Sequence, residues 1–372
     1  MKIASFVLSA VTFFAPSSVP SNYNNNINIM VAQALSTPAP RATVAFVGSA
    51  NQDLTSYTPT LPVLGETVLG DTFATSTGGK GANQARACGS FAPHYCTAQM
   101  ICRVGEDVFG QEICKTLKAG GVTYDEETSI LKDGTASGVA AIVVDQKSGD
   151  NMIIVSPGAN FKLTPENVDE ELKALKPAVV TTQLEIPMES ALQAMKSGRK
   201  LGAVTILNPA PAPTEEGALN DFWPFVDIFI PNETELRTIC GKVGDDSVDE
   251  TDMAKSLLEK GVGEAVICTL GARGAMIVAR GDKEDDDVKV SMVDAPEDLP
   301  ARNEPIKDTI GAGDAFCGAL SCYLSAGISL EEAAGMACGF ASMSIRRQGA
   351  NYPTFDELPE TLKINLGAPV SS

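Results

Sequence analysis

The run Ala178-Val179-Val180-Thr181-Thr182-Gln183-Leu184, then Glu185, then the apolar-periodic segment 188–196, then Val204–Leu207, reads as strand, helix and strand in succession. Short β-branched runs suit a pleated, half-buried surface, while apolar residues three and four apart suit one face of a helix. The alternation continues in both directions. Candidate strands lie at 43–48, 226–230 and 265–270, with helical patterns at 81–90 and Val108–Ala119 between them. Strands regularly separated by helices imply an α/β fold of three layers, a mostly parallel central sheet flanked by helices on both faces.

One segment has a different texture. From residue 134 to 158, two β-branched runs at 139–144 and 152–155 flank the turn Lys147-Ser148-Gly149-Asp150. A hairpin inserted in an α/β body makes a small β-sheet lid over a site. The chain therefore divides into a segment 1–41, a catalytic-type body at 42–365 that carries lid strands at about 134–158, and a tail at 366–372. Residues 1–41 hold Lys2, an apolar stretch too short for a membrane span, and an Asn/Ser/Pro-rich run. These features read as a presequence directing an otherwise cytoplasmic type of enzyme to a plastid or another organelle.

Bulk composition narrows the function. The 372 residues are 44% apolar and 20% charged, as in a compact soluble domain. A formal net charge of -19, from 28 Lys and Arg against 47 Asp and Glu, repels polyanions and anionic bilayers, so neither nucleic acid nor membrane is expected as a partner. The acidic run Asp285-Asp286-Asp287 reads as a solvated hairpin tip. Nine cysteines without C-x2-C spacing suggest small buried thiols rather than a disulfide framework or a zinc site. The only histidine, His94, falls in a surface loop, which leaves a carboxylate to carry any acid–base chemistry.

In open α/β sheets, ligands bind beyond the carboxyl ends of the strands. Asn51 and Asp53 follow the first strand, Glu185 another, Asn232 and Glu235 another, and Thr269 with Gly271 another. Each alone could be a turn former or a helix cap, but together they mark one edge of the sheet. Two glycine loops open helices on that edge. The first, Gly78-Gly79-Lys80-Gly81-Ala82-Asn83, lets amides and Lys80 approach a hydroxylated or anionic ligand, and its Gly81 rules out a Walker A loop. The second, Asp308-Thr309-Ile310-Gly311-Ala312-Gly313-Asp314, leaves bare amides at a helix mouth that suits a terminal phosphate, and Phe316 replaces the third glycine of a dinucleotide fingerprint. Asp314 stands there as a general base or as a helix cap.

Over residues 43–359, these motifs in this order resemble the ribokinase branch of the pfkB-type carbohydrate kinases. The resemblance implies ATP-dependent phosphorylation of D-ribose at O5, with Asp314 as base and Gly311, Ala312 and Gly313 as anion hole. It makes Asn51, Asp53, Gly79, Lys80, Asn83 and Glu185 sugar ligands. Asn232, Glu235, Thr269, Gly271 and Gly274 fall to the nucleotide, and Glu235 also places magnesium through water. Asp308, Ile310, Ser344, Arg347 and Gly349 match positions that hold a monovalent cation, potassium. Cys338 departs from the family's His or Asn beside adenine, and Asn351-Tyr352-Pro353 departs from the spacing of a further cation ligand. Exposed lid edges imply a homodimer. Two other readings stay open: a kinase for another small sugar or a nucleoside, and a noncatalytic sugar sensor that keeps the pocket.

Overall fold

The computed structural model describes residues 41–364 apart from 246, 282–287, 298 and 300–303. The segment 1–40, the run Asp285-Asp286-Asp287 and the tail 366–372 lie outside the described residues.

Among the described residues, the strands in chain order are β1 (Ala42–Val47), β2 (Asn51–Thr58), β3 (Thr72–Gly78), β4 (Cys96–Ile101), β5 (Val104–Gly105), β6 (Val122–Thr123), β7 (Ile130–Leu131) and β8 (Gly138–Asp145). They continue as β9 (Asn151–Ser156), β10 (Val179–Thr182), β11 (Val204–Leu207), β12 (Ile228–Phe229), β13 (Ala265–Thr269), β14 (Ala275–Arg280) and β15 (Val288–Val293). The helices are α1 (Lys80–Gly89), α2 (Val108–Ala119), α3 (Glu126–Ser129), α4 (Pro165–Leu175), α5 (Met188–Leu201), α6 (Glu233–Ile239), α7 (Glu250–Lys260), α8 (Ala312–Ser325) and α9 (Leu330–Ser344).

The central sheet has nine strands in the order β15-β14-β13-β12-β11-β10-β1-β4-β6. All neighbours from β6 to β13 pair in parallel, and only the β14 and β15 edge is antiparallel. Successive side chains of β1 bury on opposite faces, as a two-residue period requires. Val44 and Phe46 join a core with Phe316 and Leu320 of α8 and Phe340 of α9, whereas Ala45 and Val47 join one with Leu172 of α4 and Met195 of α5. The expected three layers follow from that alternation. From β1 the chain builds outward through β4 and β6, then returns to lay β10 on the other flank of β1. This reversal is the switch point where open sheets leave a crevice.

The hairpin expected at 134–158 forms as β8 and β9, closed by a turn in which the Asp145 carboxylate accepts the amides of Lys147 and Ser148. It belongs to a separate four-stranded sheet, β3-β2-β8-β9. The sequence reading did not foresee β2 and β3, because their Thr- and Ser-rich faces lack an apolar alternation. Asn51 and Asp53 therefore sit on a strand, not in a loop.

Other boundaries moved for visible reasons. The strand expected at 226–230 shrinks to β12, since Asp227 takes the Thr205 amide and hydroxyl with its carboxylate, each at 2.9 Å. Helix α5 runs past 196 to Leu201, where Gly202 closes it at φ 77°. Seven of the nine cysteines are buried, and the thiols of Cys88, Cys96 and Cys322 pack together in the core with sulfur separations of 3.5 and 3.6 Å. Burial pushes the Cys88 and Cys322 thiols well up, so they stay protonated and behave as apolar residues. His94 is exposed and stacks on Phe355. No helix of the described residues is long and apolar enough to cross a membrane.

One close approach sets the site's geometry. Helices α1 and α8 cross at Gly318, where an added Cβ would lie 2.3 Å from the Gln84 carbonyl oxygen and 2.6 Å from Ala87 Cβ. A side chain there must force the helices apart. Gly318→Ala should therefore destabilise the protein by about 1–3 kcal/mol, read as a lowered midpoint in urea unfolding. An unchanged midpoint would show that the crossing tolerates separation.

Candidate active site

The first glycine loop owes its composition to backbone packing. A Cβ on Gly79 would lie 2.8 Å from the Asn51 amide nitrogen, and one on Gly81 would lie 2.7 Å from the Ser49 nitrogen. Gly79 also has φ 86°, a region side chains disfavour. The loop thus presses on residues 48–51 and does not clear space for a ligand, as the sequence had suggested. The amides at the mouth of α1 are taken as well: Lys80 N–H donates to Glu185 Oε2 at 3.0 Å, and Ala82 N–H to the Ser49 carbonyl at 2.8 Å. Ser49 Oγ donates to the same Glu185 oxygen at 2.6 Å. Glu185 is thereby locked against the N-terminus of α1, where the helix dipole favours its charge.

The α8 mouth is different. Gly311 caps this helix at φ 74°, and a Cβ there would meet Ala350 Cβ at 2.9 Å. The Ala312 amide turns to the Thr309 carbonyl at 3.2 Å, but among the described residues no carbonyl receives the amides of Gly311 and Gly313. Gly313 faces open space, with nothing within 4 Å of a Cβ built on it. Free amides at the start of a fourteen-residue helix form an anion site.

Asp314 lies in the first turn of α8, buried, with both carboxylate oxygens held from α1. Asn83 Nδ2 donates to Oδ2 at 3.1 Å and Gln84 Nε2 to Oδ1 at 3.0 Å. Asn83 thus spends its amide nitrogen on Asp314, leaving its buried oxygen without a partner. Burial raises the Asp314 pKa above the usual carboxyl value, opposed by the Lys80 charge and the two amide donors. At Lys80 burial works against the ammonium, but the carboxylates of Asp314, Glu185 and Glu235 outweigh it and hold the pKa above its ordinary value. Lys80, Asn232, Glu235, Thr269, Gly313 and Asp314 line one cavity of about 180 Å³. Through Thr269, Ala312 and Gly313 it shares a wall with a second cavity of about 500 Å³, which Gly271, Gly274 and Cys338 also line. One compartment suits reacting groups and the other the body of a nucleotide.

Asn232 and Glu235 form a capping box at the start of α6, in which Glu235 Oε2 accepts the Asn232 amide at 2.8 Å and the other carboxylate oxygen is left over. That free oxygen fits a hydrated magnesium ion beside a phosphate. The five expected cation positions are also gathered. Asp308 Oδ1 accepts the Ile310 amide at 3.0 Å and Oδ2 the Gly349 amide at 2.9 Å, which draws the two turns together. The Ser344 carbonyl accepts the Arg347 amide at 2.9 Å and the Gly349 carbonyl the Asn351 amide at 2.8 Å, and each carbonyl keeps a second lone pair with which it could hold a hard monovalent cation.

Asn51 and Asp53 stand opposite the glycine loop, since β2 pairs Asn51 with Gly78 and Asp53 with Ser76. A Cβ on Gly78 would lie 2.1 Å from Asp53 Oδ2, so the carboxylate rests on the glycine itself. Sequence reasoning missed the residues that orient these groups. Asn160 donates to Asn51 Oδ1 at 2.7 Å and accepts the Ala50 amide at 2.9 Å, leaving Asn51 to present its Nδ2 donor. No periodicity points to Asn160. Asn208, which receives Gln84 Nε2 at 3.0 Å, directly follows β11 and obeys the strand-end rule used for the others.

Comparison with known proteins bears on this geometry. The family described as pfkB family carbohydrate kinase matches residues 41–357. Deoxyribokinase of Salmonella typhi is 35% identical over 327 residues, covering 87% of this chain and 99% of its own. Mouse ribokinase is 34% identical over 326 residues, covering 86% and 95%. Among solved structures, Arabidopsis thaliana ribokinase complexed with ribose and ATP superposes with a TM-score of 0.70 at 28% identity, covering 88% of this chain and all of that one.

Burial, and then the nearby Glu185 charge, push Asp53 from 3.8 up to about 7. The folded chain therefore holds this proton more tightly than the unfolded chain, and stability is lost as pH rises through about 7. Asp53→Asn should unfold at a higher temperature than the parent at pH 8, with the difference disappearing as pH falls toward 4. An equal advantage at both ends of that range would contradict the assignment.

Proposed function

This chain belongs to the pfkB family of carbohydrate kinases, and from that premise we propose that it transfers the terminal phosphoryl group of ATP to O5 of D-ribose, giving ribose 5-phosphate and ADP. The observation that carries the reading is Asp314, a buried carboxylate fixed by Asn83 and Gln84 beside the two free amides of α8.

In this mechanism the sugar lies beside the glycine loop, within reach of Asn51, Asp53 and Glu185. Asn51 donates to a hydroxyl, while Asp53 and Glu185 accept from others. Lys80 reaches from the first turn of α1 into the cavity that Asp314 lines. The Asp314 carboxylate takes the proton of the primary hydroxyl as its oxygen attacks the terminal phosphorus, and the bond from that phosphorus to the bridging oxygen breaks. Gly311 and Gly313 amides receive the charge that spreads over the transferring group. Magnesium, held through water near Glu235, would neutralise phosphate charge. Potassium at Asp308, Ile310, Ser344, Arg347 and Gly349 would brace the turn that carries the anion hole. The four-stranded sheet would act as a lid that keeps water from the phosphate.

Deoxyribose is the second reading, favoured by the likeness to a deoxyribokinase. Both pentoses carry the same primary hydroxyl, so the reacting groups would be unchanged. Coupled assays with ribose, deoxyribose, fructose and adenosine separate the readings by kcat/KM. Binding of ribose without turnover of any of the four would instead indicate a sensor.

The lid also supports a homodimer. Met152, Ile153, Ile154 and Val155 are exposed along the edge strand β9, as is Phe73 on β3, and unpaired apolar edges favour burial against a second copy. The segment 1–41 is proposed as a targeting presequence ahead of the kinase body.

Asp314→Ala should lower kcat by about a hundredfold or more, the usual contribution of a general base, with nearly unchanged sugar and nucleotide affinity. Retention of more than about a tenth of the activity would remove Asp314 from that role. Lys80→Ala and Glu185→Gln should raise the sugar KM much more than the ATP KM, and an equal rise in both would place them outside the sugar site.

A further inference from the structure

We propose that Gln84 is a positioning residue for phosphoryl transfer, and that its carboxamide meets Asp314 in a polarity that Asn208 sets and Gln183 supports. The inference rests on the reading of Asp314 as general base. Gln84 is fully buried on α1, so it touches neither substrate. Its Nε2 donates both hydrogens, one to Asp314 Oδ1 and one to Asn208 Oδ1, each at 3.0 Å. Its Oε1 accepts from Gln183 Nε2 at 2.6 Å.

A carboxamide can sit in either of two orientations of nearly equal shape, and only its partners decide which end faces the carboxylate. Asn208 decides the orientation of Gln84, and Gln183 completes it. Asn208 Nδ2 is committed to the Ile230 carbonyl at 2.8 Å, so Asn208 has only its oxygen to offer Gln84. Gln183, fully buried after β10, offers Gln84 its nitrogen, with its own oxygen left unpartnered against Gly48. A Cβ on Gly48 would lie 2.1 Å from Gln183 Oε1, so the glycine that ends β1 leaves room for this side chain. A turned Gln84 would set its oxygen against both the Asp314 carboxylate and Asn208 Oδ1 and would lose both of those bonds, and it would lose the Gln183 bond as well unless that side chain turned with it.

The consequence is chemical. Asp314 faces the Lys80 ammonium from α1, Glu185 beyond β10, Glu235 of α6, Cys317 of α8 and the buried Tyr352 phenol. Burial and the Glu185 and Glu235 carboxylates favour the neutral acid, which cannot accept a proton, whereas Cys317 and Tyr352 keep their own protons. A donor held permanently on Oδ1 favours the carboxylate and points its other lone pairs toward the cavity.

The test is the pH dependence of kcat for the full chain and its Gln84→Leu, Gln183→Leu and double variants. Gln84→Leu should lower kcat by about ten- to a hundredfold, the effect of losing one hydrogen bond to a charge. It should also move the acid limb to higher pH and leave both KM values within about threefold of the parent. Gln183→Leu should shift the limb in the same direction by less, and the double variant should be no worse than Gln84→Leu alone, because Gln183 acts only through Gln84. Thermal unfolding checks that each variant is folded, and if Gln84→Leu is not, Gln183→Leu alone carries the test. An unmoved acid limb in a folded variant, or additive losses in the double, would overturn the proposal. Asp314→Asn separates the two readings: if it is inactive while the limb of Gln84→Leu stays put, only the positioning role fails, whereas an active Asp314→Asn ends the base assignment itself.

Discussion

The structure depends on a buried carboxylate shared between two helices. Asp314 lies in the first turn of α8, yet the groups that hold it, Asn83 and Gln84, belong to α1, more than two hundred residues earlier in the chain. Each hydrogen bond spans the α1–α8 crossing, and the crossing is close because Gly318 carries no side chain. Removing a carboxylate from water costs several kcal/mol unless hydrogen bonds and an opposite charge compensate. Lys80 supplies that charge from the first turn of α1. The two glycine loops are therefore halves of one electrostatic unit.

The two helix mouths divide the labour. At α1 the amides are consumed by Glu185 and Ser49, which fixes a carboxylate against the start of that helix. At α8 the amides of Gly311 and Gly313 have no protein acceptor among the described residues. Similar glycine-rich sequences thus end differently, one packing backbone on backbone and one leaving backbone amides open. The local context decides: residues 48–51 lie against the first loop, while Gly313 faces open space.

Much of the fold could be read from the chain because a parallel sheet buried on both faces leaves β-branched runs at β1, β10, β11 and β13. Val204–Leu207 and Val108–Ala119 formed as expected to the residue. Strands β2 and β3 were not foreseen, since their Thr- and Ser-rich runs carry no apolar alternation to announce them. The strand-end rule located Glu185, Asn232 and Thr269, whose side chains or neighbours meet at the crevice. It could also have located Asn208. Gln84, Gln183 and Asn160 gave no such signal, because a fully buried amide is defined by its partners in space and not by the pattern around it.

The most direct check on the account is a crystal structure of the protein with ribose and a nonhydrolysable ATP analogue. The account predicts the sugar's primary hydroxyl within about 3.2 Å of an Asp314 oxygen, pointing at the terminal phosphorus, with that phosphate seated on the amides of Gly311 and Gly313. A sugar bound with its primary hydroxyl turned away, or a phosphate resting elsewhere than on the mouth of α8, would contradict it.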